Sequence, residues 1–106
     1  MELKRVVVTG LGAVTPVGNS PEETWQNLVA GKSGAAPITQ FDTTNFKTKF
    51  ACEVKNLNVC DYLDRKEVRK MDRYEQLALV AAMEAVADSA MDLETVDKNR
   101  IGVVLG

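Results

Sequence analysis

"RVVVTGLGAVTPVG", residues 5 to 18, sets three valines and a threonine directly before glycines at positions 10, 12 and 18. The apolar run predicts a buried strand. Glycines after such a strand often let the backbone approach a phosphate, but the spacing here fits neither common phosphate device. A dinucleotide fingerprint needs a third small residue where Thr15 stands, and Pro16 falls where its helix should already be turning. A phosphate loop of the G-x-x-x-x-G-K type fails as well, because Gly12 to Gly18 is too long and Asn19 occupies the lysine position. The stretch therefore predicts a strand entering a tight, irregular turn. Gly10 and Gly12 admit close packing there, and no cofactor is expected.

Outward from that turn, a first helix is predicted from its caps. Ser20 is a good N-cap, Pro21 suits the first helical position and Glu23 completes a Ser-x-x-Glu capping box. Trp25, Leu28 and Val29 form an apolar stripe at helical spacing, and Gly31 supplies a stop. "KSGAAP" reads as a loop and "ITQFDTTNF", residues 38–46, as irregular. In "KTKFACEV" the alternation of Phe50, Cys52 and Val54 with charged and small residues predicts a half-buried strand. Cys52 is expected to be a small core residue, and Cys60, with no base in view, precedes a short turn of helix.

From Asp72, "DRYEQLALVAAMEAVADSAM" predicts a long helix opened by an Asp72/Glu75 capping box. Only Glu84 is charged between Leu77 and Ala87, so this helix is expected to be buried on most sides. "RIGVVLG" closes the sequence as a short apolar strand suited to a covered parallel sheet. Strand, helix, strand, helix, strand is an α/β order. Three strands and two helices do not cover both faces of such a sheet, so the chain is expected to be the front of something larger, with no second domain of its own.

Composition narrows the function. The chain has 106 residues, a formal net charge of −2 and 45% apolar residues, which suit a globular protein and argue against a basic nucleic-acid binder. No apolar run approaches the length of a membrane span, and "MELKRVVV" lacks the apolar core and cleavage site of a signal peptide. Two cysteines outside any metal spacing fit a cytoplasmic protein with reduced thiols. There is no histidine, which removes the commonest general base and the usual partner of a cysteine or serine nucleophile.

One charged constellation remains. Five of the 13 basic residues, Arg65, Lys66, Arg69, Lys70 and Arg73, fall in "RKEVRKMDR". If the segment is helical throughout, Lys66, Arg69, Lys70 and Arg73 share one face, with Val68 and Met71 anchoring the other. Glu67 and Asp72 offset part of the charge but lie outside that stripe. In an acidic chain the stripe concentrates positive potential. An acidic protein partner explains it better than nucleic acid, since Tyr74 is the only aromatic residue nearby.

These stretches together resemble the N-terminal part of a β-ketoacyl-acyl carrier protein synthase. The resemblance rests on "RVVVTGLGAVTPVGN", "TWQNLVAGKSG", "FDTTNF", "RKEVRKMDRYEQLALVAAMEA" and "NRIGVVLG", and it runs through the whole chain in order. The elongating form similar to bacterial ketoacyl synthase II fits best, on the wording of "RKEVRKMD" and "TPVGN". The resemblance implies a thiolase-like fold layered helix, sheet, helix, sheet, helix, and a homodimer. It further implies a decarboxylating Claisen condensation of acyl-enzyme with malonyl carrier protein in fatty acid elongation. The family's cysteine, two histidines and lysine lie downstream of the matched segment, so no catalytic, cofactor or metal residue carries over. Lys66, Arg69 and Lys70 align with the family's carrier-protein docking patch, with Arg65 beside it. Alternatives are a polyketide ketosynthase, a synthase I relative, a catalytically dead paralogue, or a free-standing module that docks an acidic protein.

Overall fold

A computed structural model describes residues 1–105. Helix α1 runs Pro21–Val29, strands β1 (Ala36–Pro37) and β2 (Phe50–Ala51) form an antiparallel pair, and helices α2 (Arg65–Val68) and α3 (Arg73–Asp88) follow. Single 3-10 turns at Val59–Asp61 and Lys98–Arg100 complete the regular structure.

The caps form as their chemistry predicts. The Ser20 hydroxyl accepts from the Glu23 N–H at 3.2 Å, Pro21 occupies the first turn, and the Glu23 carboxylate accepts from the Asn19 N–H at 2.8 Å. The carboxylate thus reaches one residue further back than a standard capping box requires. Gly31 ends the helix at φ +69, a conformation that costs a Cβ-bearing residue. On α3 the Glu75 carboxylate accepts from the Asp72 N–H at 3.0 Å. The helix stops at Asp88, before the predicted Met91, because Ala90 turns into the left-handed region at φ 52.

The glycine turn packs as anticipated. A Cβ on Gly12 would collide with the Ala81 carbonyl oxygen and lie 2.8 Å from the Ala85 nitrogen, and one on Gly10 would lie 2.6 Å from the Ser89 nitrogen. Backbone meets backbone here, so residues 10–13 lie directly on α3. Thr15 and Gly18 close the turn through paired backbone hydrogen bonds of 2.8 and 3.3 Å. The Thr15 and Thr24 hydroxyls, 3.1 Å apart, tie it to α1.

Three expectations are corrected. Neither residues 5–9 nor 101–105 form a strand, and Val6, Val8 and Val104 are almost fully exposed. A strand needs a neighbour to take its N–H and C=O groups, and neither segment has one among the described residues. The strand predicted around Phe50 shrinks to two residues. Phe50 and Cys52 are both exposed, so Cys52 is not a core residue. The apolar faces are also less covered than predicted. Trp25, Leu28 and Val29 are exposed, and on α3 Val80 is buried at 2% exposure whereas Leu79, Met83 and Val86 are open.

The core is correspondingly small, with Val59 and Val80 its buried apolar residues among those described. The surface of 8994 Å² exceeds the about 5,800 Å² expected of a folded protein of this mass. The radius of gyration of 17.4 Å exceeds the about 13 Å expected of a compact domain of this length.

Candidate functional site

Two places carry enough chemistry to be weighed: the cleft beside the glycine turn and the basic segment of α2. The cleft is lined by Leu11, Ser20, Pro21, Glu22, Glu84 and Asp88. Two backbone donors of the glycine turn are held here by carboxylates. The Leu11 N–H donates to Asp88 Oδ2 at 2.9 Å, and the Ala13 N–H donates to Glu84 Oε2 at 3.3 Å. A phosphate entering here would meet the Glu84 and Asp88 carboxylates. Among the described residues no group of three or more cysteines and carboxylates is close enough to hold a metal.

The basic segment is built by caps rather than by a long helix. The Asn58 side chain caps the 3-10 turn by accepting from the Cys60 N–H at 3.2 Å, and Val59 in that turn packs beneath α3. Asp64 then starts α2, its Oδ1 accepting from the Lys66 N–H at 2.7 Å. Val68 and Met71 are half-buried and anchor the segment as predicted. Gln76 clasps its far end, with Nε2 donating to the Val68 and Met71 carbonyls, both at 3.1 Å. The Val68 carbonyl also accepts the Met71 N–H at 3.3 Å, so Gln76 adds a second tie at this helix terminus.

The predicted single face is not formed. Helix α2 ends at Val68, Arg69 is its C-cap, and Asp72 at ψ 160 breaks the backbone before α3 begins at Arg73. The Arg69 N–H still bonds the Arg65 carbonyl at 3.3 Å, so these two cations stand one helical turn apart. Arg73 belongs to the next helix, where its guanidinium donates to Gln76 Oε1 at 3.4 Å. Nor is the stripe unrelieved: Lys70 Nζ pairs with Glu67 Oε1 at 3.0 Å. All five cations are exposed. Arg65, Lys66, Arg69 and Arg73 make no ion pair among the described residues, which leaves Lys70 as the one cation of the five that is paired there.

Gln76 was not singled out by the sequence reading. Cys60 lies exposed in the 3-10 turn and Cys52 is exposed beyond β2.

Residues 3–106 match the family described as the beta-ketoacyl synthase N-terminal domain, and the chain belongs to that family. Its relatives include proteins named 3-oxoacyl-(acyl-carrier-protein) synthase 2. The one from Staphylococcus aureus is 47% identical over 103 residues, that from Coxiella burnetii 44% over 106, and that from Synechocystis 42% over 106. These alignments cover 97 to 100% of this chain but only 25 to 26% of the relatives, so the chain spans about a quarter of their length. Among solved structures, a chain of the ishigamide ketosynthase/chain length factor superposes with a TM-score of 0.75 at 38% identity, over 83% of this chain and 22% of that one. The fold of the segment is therefore that of a ketosynthase.

Proposed function

We propose that this chain is the N-terminal segment of a 3-oxoacyl-acyl carrier protein synthase of the synthase II type, acting in fatty acid elongation. The observation that carries the reading is 42 to 47% identity to synthase 2 proteins along nearly the whole segment. The reaction is an acyl transfer followed by condensation. An acyl group passes from its carrier thioester to an enzyme cysteine. Malonyl carrier protein then loses carbon dioxide, and its α-carbon attacks the acyl-enzyme to give a 3-oxoacyl carrier protein and free the cysteine.

The role of these 106 residues in that reaction is to frame and to dock. With no histidine, they supply neither the catalytic nucleophile nor its proton relay in this reading. They contribute part of a layered helix–sheet–helix–sheet–helix fold, completed by further sequence and by a second copy in a homodimer. Exposed valines at both ends of the chain support such an assembly. Arg65, Lys66, Arg69, Lys70 and Arg73 form the docking patch for acyl carrier protein, whose acidic surface they attract. No helix among the described residues is long and apolar enough to cross a membrane.

A polyketide ketosynthase is the second reading, favoured by the 38% identical ishigamide ketosynthase/chain length factor. The test is to incubate the complete protein with acyl and malonyl carrier proteins and follow carbon dioxide and product. A single round of two-carbon extension is expected, and repeated extension without reduction would favour the polyketide reading. The 106-residue segment alone should give no product.

A further inference from the structure

The five cations of the docking segment are not equivalent. Lys70 is held by Glu67 at 3.0 Å one helical turn away, while Arg65, Lys66 and Arg69 make no ion pair among the described residues. Glu67 also sits between Lys66 and Arg69 in the sequence. An acidic partner approaching this surface meets a negative charge inside the positive patch and a lysine already occupied.

We propose that Glu67 is an internal stand-in for a partner carboxylate. It holds Lys70 in the free protein and yields it on docking, so that it limits affinity and speeds release. The inference rests on the docking role given to this segment above. The pair is well suited to exchange. Its side chains are 70% and 54% exposed, and exposed pairs are weak and screened by salt. Losing it does not threaten the fold, because α2 is capped independently by Asp64 and clasped by Gln76. A glutamate left free beside the bound partner would repel it and favour dissociation.

The test is a double-mutant cycle in the complete synthase, with binding of an acidic acyl carrier protein measured at fixed ionic strength. Glu67→Gln keeps side-chain length and comparable helix propensity, and it should tighten binding about two- to fivefold, mostly through slower dissociation. Lys70→Met should be nearly silent in the native background and weaken binding about threefold where Glu67 is already glutamine. Equal effects of Lys70→Met in both backgrounds would mean that Glu67 acts only through net charge, and the stand-in role would be lost. A parallel variant carrying Lys66→Glu and Arg69→Glu tests the docking role itself. If it binds the carrier protein normally, the segment is not the docking surface and both claims fail; if it binds weakly while the cycle shows no coupling, only the Glu67 claim fails.

Discussion

Asp88 Oδ2 receives the N–H of Leu11 at 2.9 Å, across 77 positions of sequence. The carboxylate stands in the last turn of α3, where no basic residue offsets it and where the helix dipole disfavours a negative charge by about 0.3–1 kcal/mol. With Glu84 one turn earlier taking the Ala13 N–H, it pins the glycine turn onto the helix. Asp88→Ala in the complete protein should therefore cost about 1 kcal/mol. Asp88→Asn keeps an acceptor and removes the dipole conflict, so it should change stability by less than about 0.5 kcal/mol. Denaturant midpoints at constant m-value check both.

Gly12 is the more fragile half of the same contact. A methyl group there meets the Ala81 carbonyl and the Ala85 nitrogen, both main-chain atoms that no rotamer change can move aside. Gly12→Ala should cost about 3 kcal/mol or more, seen as loss of soluble protein or a large fall in Tm.

Ala90 offers the opposite case. It holds φ 52 just beyond the C-terminus of α3, a conformation that costs an L-residue about 1–2 kcal/mol. Ala90→Gly relieves that strain but frees the unfolded chain, so a net gain of about 0.5–1 kcal/mol is expected by thermal or chemical denaturation.

The Glu53 carboxylate is held below its ordinary range, chiefly because the Thr39 hydroxyl donates to it at 2.8 Å, with the Thr39 N–H adding bonds of 3.2 and 3.3 Å. A depressed carboxylate stabilises its partners fully above the ordinary value of 4.5 and loses that effect as pH falls through the lower folded value. The Thr39 amide should hence be protected near neutrality and shift its resonance below pH 4.5. Glu53→Gln should abolish that titration in an NMR pH series.

Reversing Lys66, Arg69 and Lys70 to glutamate together should raise KM for acyl carrier protein in the complete synthase by at least about tenfold, since charge lost and repulsion gained compound. Activity on a small acyl-pantetheine surrogate should stay within about twofold, because it brings no acidic surface. Equal losses on both substrates would show that the segment supports the fold or the active site instead.

Features set by neighbours in sequence were legible, and those set by distant partners were not. Ser20, Pro21, Gly31 and Glu75 act within one turn of their own helices, so their roles could be read directly. The valines at 6–8 and 103–104 have strand composition, but a strand exists only where another supplies the ladder. The basic segment failed for a different reason. Its i, i+3, i+4, i+7 spacing predicts one helix through Arg73, while Asp72 was equally legible as an N-cap. The two readings are incompatible, and the cap prevailed. Gln76 stayed hidden because its partners are carbonyls, which no residue type announces.

One lysine lies outside all of these sites. Lys55 Nζ donates to the carbonyls of Gly34 at 2.7 Å, Glu53 at 2.9 Å and Pro16 at 3.3 Å, while its own carbonyl accepts from Asn19 Nδ2 at 2.8 Å. A single nitrogen thereby closes two loops, one spanning 21 positions and the other 39. Contacts that close long loops are expected to form late in folding. Their loss here, as in Lys55→Met, would leave the folding rate nearly unchanged and speed unfolding, shortening the lifetime of the native state.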